Sequence, residues 1–125
     1  MLDEMTAVSG DTLFMIVENG WATAVSLGSS EEKQADYITA TYAALAEHRT
    51  EFGRHLWYGM HDGTPERCAE AALSFVPEGF DTAAAGESWH FFEDYLCTLG
   101  LKNNDGTPKL GWQTFQTETD SYLNR

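Results

Sequence analysis

The chain is poor in basic side chains and in long apolar runs. Its seven lysines and arginines stand against 20 aspartates and glutamates, which gives a formal net charge of −13 over 125 residues. Such a charge repels phosphate-rich polymers, so we expect no nucleic-acid partner. No apolar run approaches the roughly 20 residues of a membrane-spanning helix, and no charged start with an apolar core marks a signal peptide. The sequence therefore predicts neither a nucleic-acid-binding nor a membrane protein, and it leaves the compartment unknown.

Cysteine is scarce as well, with Cys68 and Cys97 as the two examples. Two cysteines are too few for a disulfide scaffold, and they lack the close spacing of a zinc knuckle. The sequence leaves a buried pair of thiols and a single disulfide equally open, and it disfavours metal ligation. A phosphate-binding glycine loop, a basic patch and an internal repeat are also missing. We therefore expect neither a metal nor a cofactor.

The most informative feature is an apolar run that leads into a carboxylate and a glycine turn. Residues 12–17 are apolar apart from the first, and Glu18, Asn19, Gly20 and Trp21 follow. The β-branched and aromatic content of the run predicts a strand buried on both faces, as in parallel sheets. A carboxylate at the C-terminal end of such a strand lies where α/β proteins keep their active sites. The alternative is that Glu18 is simply the first solvated residue after the strand.

A helix and a second strand follow this run. Residues 29–32, Ser-Ser-Glu-Glu, form a capping-box pattern that predicts the start of a helix over residues 30–50. Residues 55–60 then predict another short strand. Strand, crossover helix and strand in one sheet are almost always right-handed. We therefore expect both strands to end at the same edge of a parallel sheet, with Glu18 and Trp57 as neighbours.

The order of these residues resembles the C-terminal quarter of a retaining glycoside hydrolase built on the (β/α)8 or TIM barrel, in the clan of cellulase-like and β-xylosidase-like enzymes. The resemblance spans residues 12–116 and depends on the following segments in chain order: Glu18-Asn19-Gly20-Trp21 after the seventh strand, Gln34-Ala35-Asp36-Tyr37 in the next helix, Trp57-Tyr58 in the eighth strand, Gly100-Leu101, Asp105-Gly106-Thr107-Pro108-Lys109 and Trp112-Gln113-Thr114-Phe115. It implies an α/β fold, a partial TIM barrel made of the last two βα units with an extended loop after the last strand. Residues 1–125 would then be an incomplete C-terminal portion of a catalytic domain.

The resemblance also implies that Glu18 is the catalytic nucleophile. A retaining mechanism needs a second carboxyl group, the acid/base, about 5–5.5 Å away. The family's acid/base glutamate follows the fourth strand, usually after an asparagine, and this sequence has no Asn-Glu dipeptide. A complete barrel takes about 250 residues. We therefore expect a fragment whose partners are a carbohydrate substrate and a missing N-terminal barrel portion. The isolated chain is expected to show negligible hydrolysis of glycosides.

Four further residues are candidate substrate-binding residues. Trp57 offers a flat face on which a sugar ring can stack, although a core tryptophan is an equally open interpretation. His61 and Asp62 have side chains that can hydrogen-bond sugar hydroxyls, or they form an ordinary strand exit. Trp21 follows the nucleophile position, or does no more than shape its loop. A neutral glycan is compatible with the acidic charge of the chain.

Residues 63–101 carry less information about function. A helix is predicted to begin after Thr64 and to end before Pro77, because threonine is a good cap and a proline follows it at the first helical position. Residues 79–86 are predicted to form a loop. The aromatic residues from Trp89 onward have near-helical spacing, which is more typical of a core than of a sugar site.

The alternative function is a non-catalytic α/β binding or assembly domain. In that interpretation Glu18 is a structural residue at the end of a strand. The sequence does not indicate which sugar is recognised, or whether the substrate is a polymer or a short glycoside.

Overall fold

The structure is a computed structural model that describes Glu4, Ala7, Val8 and residues 12–124. Two strands, five helices and one 3-10 turn follow one another in this part of the chain. In order they are β1 (Phe14–Asn19), the 3-10 turn (Val25–Leu27), α1 (Glu31–Glu47), β2 (Phe52–Trp57), α2 (Pro65–Ser74), α3 (Thr82–Ala85), α4 (Glu87–Cys97) and α5 (Leu110–Leu123). No helix in the described ranges is both long enough and apolar enough to cross a membrane.

The partial TIM barrel predicted from the resemblance is wrong. Within the described residues the sheet has two strands, and the chain forms a small α/β domain rather than a portion of a barrel. The extended loop expected after the last strand is also wrong, because three helices, α2, α3 and α4, occupy that region. The prediction failed because a strand-helix-strand pattern is local and occurs in many α/β folds. Closure of a barrel depends on the tilt and stagger of all its strands, which one such unit does not specify.

The βαβ unit itself is confirmed. β1 and β2 are parallel, and Phe14 pairs with Phe52 at their N-terminal ends. The helix begins as predicted, but its cap is Ser30, which accepts a hydrogen bond from the backbone N–H of Lys33, and not Ser29, which the capping-box spacing to Glu32 predicts. β2 begins at Phe52 and ends at Trp57, three residues earlier than residues 55–60 at each end. The shift arises because residues 52–54 already pair with β1.

Among the described residues, helices cover one face of the sheet, and none covers the other. α1 packs against α5, and the core between them and the sheet consists of Ile38, Tyr42 and Leu101, with Trp57, Trp112, Phe115 and Tyr122 packed against it. On the opposite side four large apolar side chains are exposed, namely Leu13, Met15, Val17 and Leu56. We call this surface the bare sheet face. The expectation that β1 is buried on both faces is therefore met on one face only.

A smaller cluster forms around a disulfide. Cys68 in α2 is bonded to Cys97 at the end of α4, with their Cα atoms 5.3 Å apart. The structure thus selects the disulfide from the possibilities that the sequence left open. Trp89 is buried between the rings of Phe80 and Phe92, which agrees with the core interpretation of this aromatic segment. The disulfide holds α2 against α4 beside the C-terminal end of the sheet.

Candidate functional site

Glu18 lies at a bulge near the C-terminal end of β1. Ile16 pairs with His55 and Asn19 pairs with Trp57, so three steps along β1 match two steps along β2. A bulge of this kind changes the direction in which the following side chains point. As a result Asn19 faces the helix-covered side of the sheet, whereas the Glu18 side chain is exposed.

Glu18 lines a cavity of about 290 Å³. The floor is formed by the end of β1, and the walls come from Tyr58 after β2, from Leu99, and from the aromatic rings of the disulfide-linked helices, namely Phe75, Phe92 and Tyr95. Among the described residues that line this cavity, Glu18 alone carries a carboxylate. The site therefore combines one acidic group with a largely aromatic wall.

Tyr58, rather than Trp57, shares this cavity with Glu18. Successive residues of a strand point to opposite faces of the sheet, and Trp57 points to the helix-covered face. Its Nε1 donates a hydrogen bond to the backbone oxygen of Leu99 at 2.9 Å. Its ring also meets those of Tyr37 and Phe115 edge-on, each at a centroid distance of 6.3 Å. Trp57 stands at the end of β2 as expected, but its ring is engaged in packing.

Asn19 is held by two side chains behind the cavity. The Tyr37 hydroxyl donates a hydrogen bond to Asn19 Oδ1 at 2.5 Å. The amide nitrogen of Asn19 lies 2.8 Å from His55 Nε2 and donates to it. Burial lowers the pKa of His55, so this ring is neutral and accepts the bond. The arrangement fixes the backbone turn that presents Glu18.

Trp21 lies next to the Glu18 cavity but not in it. Its Nε1 donates a hydrogen bond to Ser29 Oγ at 2.9 Å. Its ring is 5.0 Å from the ring of Tyr37, measured between centroids. Trp21 is still 39% exposed. It is thus an anchored aromatic ring with part of its surface available.

His61 and Asp62 are directed elsewhere. Both line a separate, polar cavity of about 430 Å³, together with Thr64, Arg67 and residues 104–106. His61 is exposed, and its backbone forms an isolated bridge with Lys102. The structure therefore does not bring these two residues to Glu18.

The Asp62 carboxylate is engaged in a buried ion pair. It lies 2.7 Å from the Nζ of Lys109, and it accepts the backbone N–H of Gly100 at 3.0 Å. Lys109, which is only 2% exposed, also donates to Thr23 Oγ1 at 2.9 Å and to the backbone oxygen of Thr98 at 3.3 Å. Burial raises the pKa of Asp62 by more than Lys109 and Gly100 lower it. The ion pair ties together the segments that follow β1, β2 and α4.

Sequence reasoning missed the aromatic wall of the Glu18 cavity. Tyr58 and Phe75 were not among the candidate site residues, and the rings of Phe92 and Tyr95 belong to the aromatic segment predicted to be core. The alternation along β2 does place Trp57 and Tyr58 on opposite faces. It does not say which face the helices cover, and that choice determines which of the two rings reaches the cavity.

Comparisons with protein-family models, with curated proteins and with solved structures find no match for this chain. Across the described residues, no group of three or more His, Cys, Asp and Glu side chains is arranged to hold a metal ion.

Proposed function

We propose that this chain supplies the nucleophile and part of the sugar-binding surface of a retaining glycoside hydrolase site, and that a further polypeptide supplies the acid/base. The observation that carries the proposal is the single exposed carboxylate of Glu18 in an aromatic-walled cavity at the C-terminal end of parallel strands. The cavity, about 290 Å³, lies just below the size range of small-molecule sites, which is about 300–1,000 Å³. That size suits one sugar ring.

The chemistry requires little of the chain beyond Glu18 and its surroundings. A carboxylate oxygen of Glu18 bonds to the anomeric carbon while the glycosidic C–O bond breaks, and the electron pair of that bond leaves with the aglycone oxygen. Water then attacks the same carbon and releases Glu18. The apolar C–H face of the sugar packs against aromatic rings such as Tyr58 and Tyr95.

The missing element is a proton donor for the leaving oxygen. Glu18 is the one carboxylate that the described residues contribute to the cavity lining. General acid catalysis contributes about 10²- to 10⁴-fold to the rate, so the chain by itself is expected to leave ordinary glycosides intact. This deficit is the reason for assigning the acid/base to a further polypeptide.

The bare sheet face is the surface on which we expect that polypeptide to bind. Its four exposed apolar side chains lie along the strands that end at the Glu18 cavity. Exposed apolar side chains grouped on one face mark interaction sites in soluble proteins, and here Arg54, which pairs with Met15, adds a positive charge to that face. A polypeptide that covers this face lies on the side of the sheet opposite α1 and α5, beside the cavity, where a second carboxyl group can approach Glu18.

The test uses substrates that need no acid. In an activated fluorosugar with a dinitrophenyl leaving group, that leaving group departs without protonation. Such a sugar therefore isolates the nucleophilic step. We expect the chain, incubated with a panel of such sugars, to gain the mass of one glycosyl group, and peptide mapping to place the label on Glu18. Glu18→Gln, a nearly isosteric change, is expected to abolish labelling. The matched control is Glu70→Gln on the exposed surface of α2, which is expected to label like the unmodified chain.

Two outcomes contradict the proposal. One is a label that maps to a different carboxylate, and the other is a chain that no sugar of the panel labels. In the second case the Glu-Asn-Gly-Trp turn is only part of the architecture.

The second candidate function is a non-catalytic assembly domain, and the bare sheet face favours it. Such a surface is expected to bind apolar dyes and to promote association of the isolated chain, both of which Val17→Lys reduces. Val17 is 58% exposed on this face. Val25→Lys is the matched control, because Val25 is 84% exposed in the 3-10 turn, away from the sheet. Equal dye fluorescence and sedimentation for both variants and the unmodified chain would exclude this candidate.

A further inference from the structure

A second cavity adjoins the one that contains Glu18. It measures about 350 Å³, and Trp21, Leu27, Ser29 and Tyr37 contribute to its lining. Gly20 and Tyr95 line both cavities. The two spaces are therefore neighbouring compartments of one cleft that meet at Gly20 and Tyr95.

We propose that the second cavity is a further sugar subsite with Trp21 as its stacking platform, so that the ligand of the cleft is a neutral oligosaccharide of at least two units. This inference rests on the proposed function, which assigns the first unit to the Glu18 cavity. It names the class of substrate, and it gives Trp21 a role separate from the reacting centre.

The Trp21 ring is oriented before any ligand arrives. Its Nε1 donates to Ser29 Oγ, and that hydroxyl in turn donates to the backbone oxygen of Ala22 at 2.6 Å. Tyr37 supports the ring at a tilt of 33°, and the Tyr37 hydroxyl is itself bound to Asn19. A ligand that stacks on a ring fixed in this way loses little affinity to the ordering of the site.

The lining chemistry selects the ligand class. The side chains that line the second cavity are aromatic, aliphatic or hydroxyl-bearing, and none of those described there carries a charge. An exposed indole face beside hydroxyl groups suits the C–H face and the hydroxyl rim of a pyranose. The net charge of −13 also disfavours phosphorylated or acidic sugars. A neutral glycan satisfies both conditions.

The experiment compares mono- and oligosaccharides by NMR. The chain has four tryptophans, so each indole N–H reports on its own surroundings, and Trp57, Trp89 and Trp112 serve as internal references for Trp21. We expect β-linked di- and tetrasaccharides of a neutral hexose or pentose to shift the Trp21 signal. The corresponding monosaccharide is expected to leave it in place.

Variants give the affinity effect. Trp21→Ala is expected to weaken disaccharide binding about tenfold, which corresponds to roughly 1.4 kcal/mol of stacking, and to weaken monosaccharide binding by clearly less. Trp21→Phe keeps an aromatic ring and is expected to recover part of the affinity. If Trp21→Ala fails to fold, the indole shifts of the unmodified chain still decide the question. The subsite would be overturned if oligosaccharides left the Trp21 indole signal unchanged. It would also be overturned if Trp21→Ala weakened the binding of mono- and disaccharides equally.

The two proposals can fail separately. Labelling of Glu18 by a fluorosugar without any response of Trp21 to oligosaccharides would leave the nucleophile in place and remove the subsite. A Trp21 response to disaccharides in a chain that no fluorosugar labels would keep the subsite as a glycan-binding cleft and remove the catalytic role.

Discussion

Asp62 provides the sharpest test of what holds the segments around the cavity together. Its carboxylate is 14% exposed and accepts hydrogen bonds from the ammonium of Lys109 and the backbone N–H of Gly100. Asp62→Ala removes both acceptors and leaves the buried ammonium with Thr23 and Thr98. Loss of one partner of a buried ion pair costs about 3–5 kcal/mol. We expect the lower end, about 3 kcal/mol, because two oxygen acceptors for the ammonium remain.

Asp62→Asn is expected to lower the unfolding free energy much less than Asp62→Ala does. Burial disfavours the charged form of the Asp62 carboxyl group and raises its pKa. The asparagine oxygen still accepts one hydrogen bond, so the expected loss is about 1 kcal/mol or less. Urea unfolding followed by circular dichroism gives both values. Asp36→Ala, an exposed aspartate on α1, is the control and is expected to stay within about 0.5 kcal/mol of the unmodified chain.

The pH dependence of the unfolding free energy shows whether Asp62 stabilises the fold more at low or at high pH. The pKa of Asp62 is higher in the folded protein than in the unfolded chain, where it is about 3.9. The stability that this group contributes is therefore fully present at pH values below about 3.9. That contribution is lost as the pH rises through the raised value. The difference in unfolding free energy between the unmodified chain and Asp62→Asn should therefore shift in favour of the unmodified chain on acidification. If Asp62→Asn costs as much as Asp62→Ala, charge rather than hydrogen-bond acceptance holds these segments, and the reasoning is refuted.

Three further predictions concern the stability of the framework. Gly111→Ala places a Cβ where it overlaps the buried amide oxygen of Gln34, so we expect a loss of about 1–3 kcal/mol, measured by thermal unfolding. Cys97→Ser removes the disulfide to Cys68, which closes a loop of 29 positions. Chain entropy predicts a loss of unfolding free energy of about 3–4 kcal/mol for such a loop, and urea unfolding measures it. Burial lowers the pKa of His55, so the stability that it contributes is present above about 6.5 and is lost as the pH falls through the lowered value. His55→Gln is expected to reduce the loss of unfolding free energy between neutral and mildly acidic pH.

Each of these predictions has a contrary result. Gly111→Ala with an unchanged melting temperature would mean that the Gln34 amide can move, although it donates to the backbone oxygens of Trp21 and Gly100 at 2.8 and 3.1 Å. A reductant should destabilise the unmodified chain but not Cys97→Ser, and equal sensitivity would contradict the disulfide argument. Identical pH profiles with and without His55 would show that other groups govern the acid response.

The parts of the fold that the sequence predicted are those set by neighbouring residues. Ser30 caps α1 through the N–H of Lys33, and this contact spans three positions along the chain. The parallel βαβ order follows from the same local signals together with the handedness of crossover connections. Glu18 near the end of β1 was visible for the same reason, because it follows an apolar run directly. In each case the determining interactions lie within one element or between adjacent ones.

The tertiary structure decided what depends on distant contacts. The bulge between Ile16 and Asn19 redirects Glu18, and it is visible only once β1 is paired with β2. The choice of Tyr58 over Trp57 for the cavity depends on which face of the sheet α1 and α5 cover, whereas the strand pattern marks two faces without ranking them. The Asp62–Lys109 ion pair joins residues 47 positions apart. Such contacts form only when the whole chain packs, because their energy depends on burial that no local segment provides.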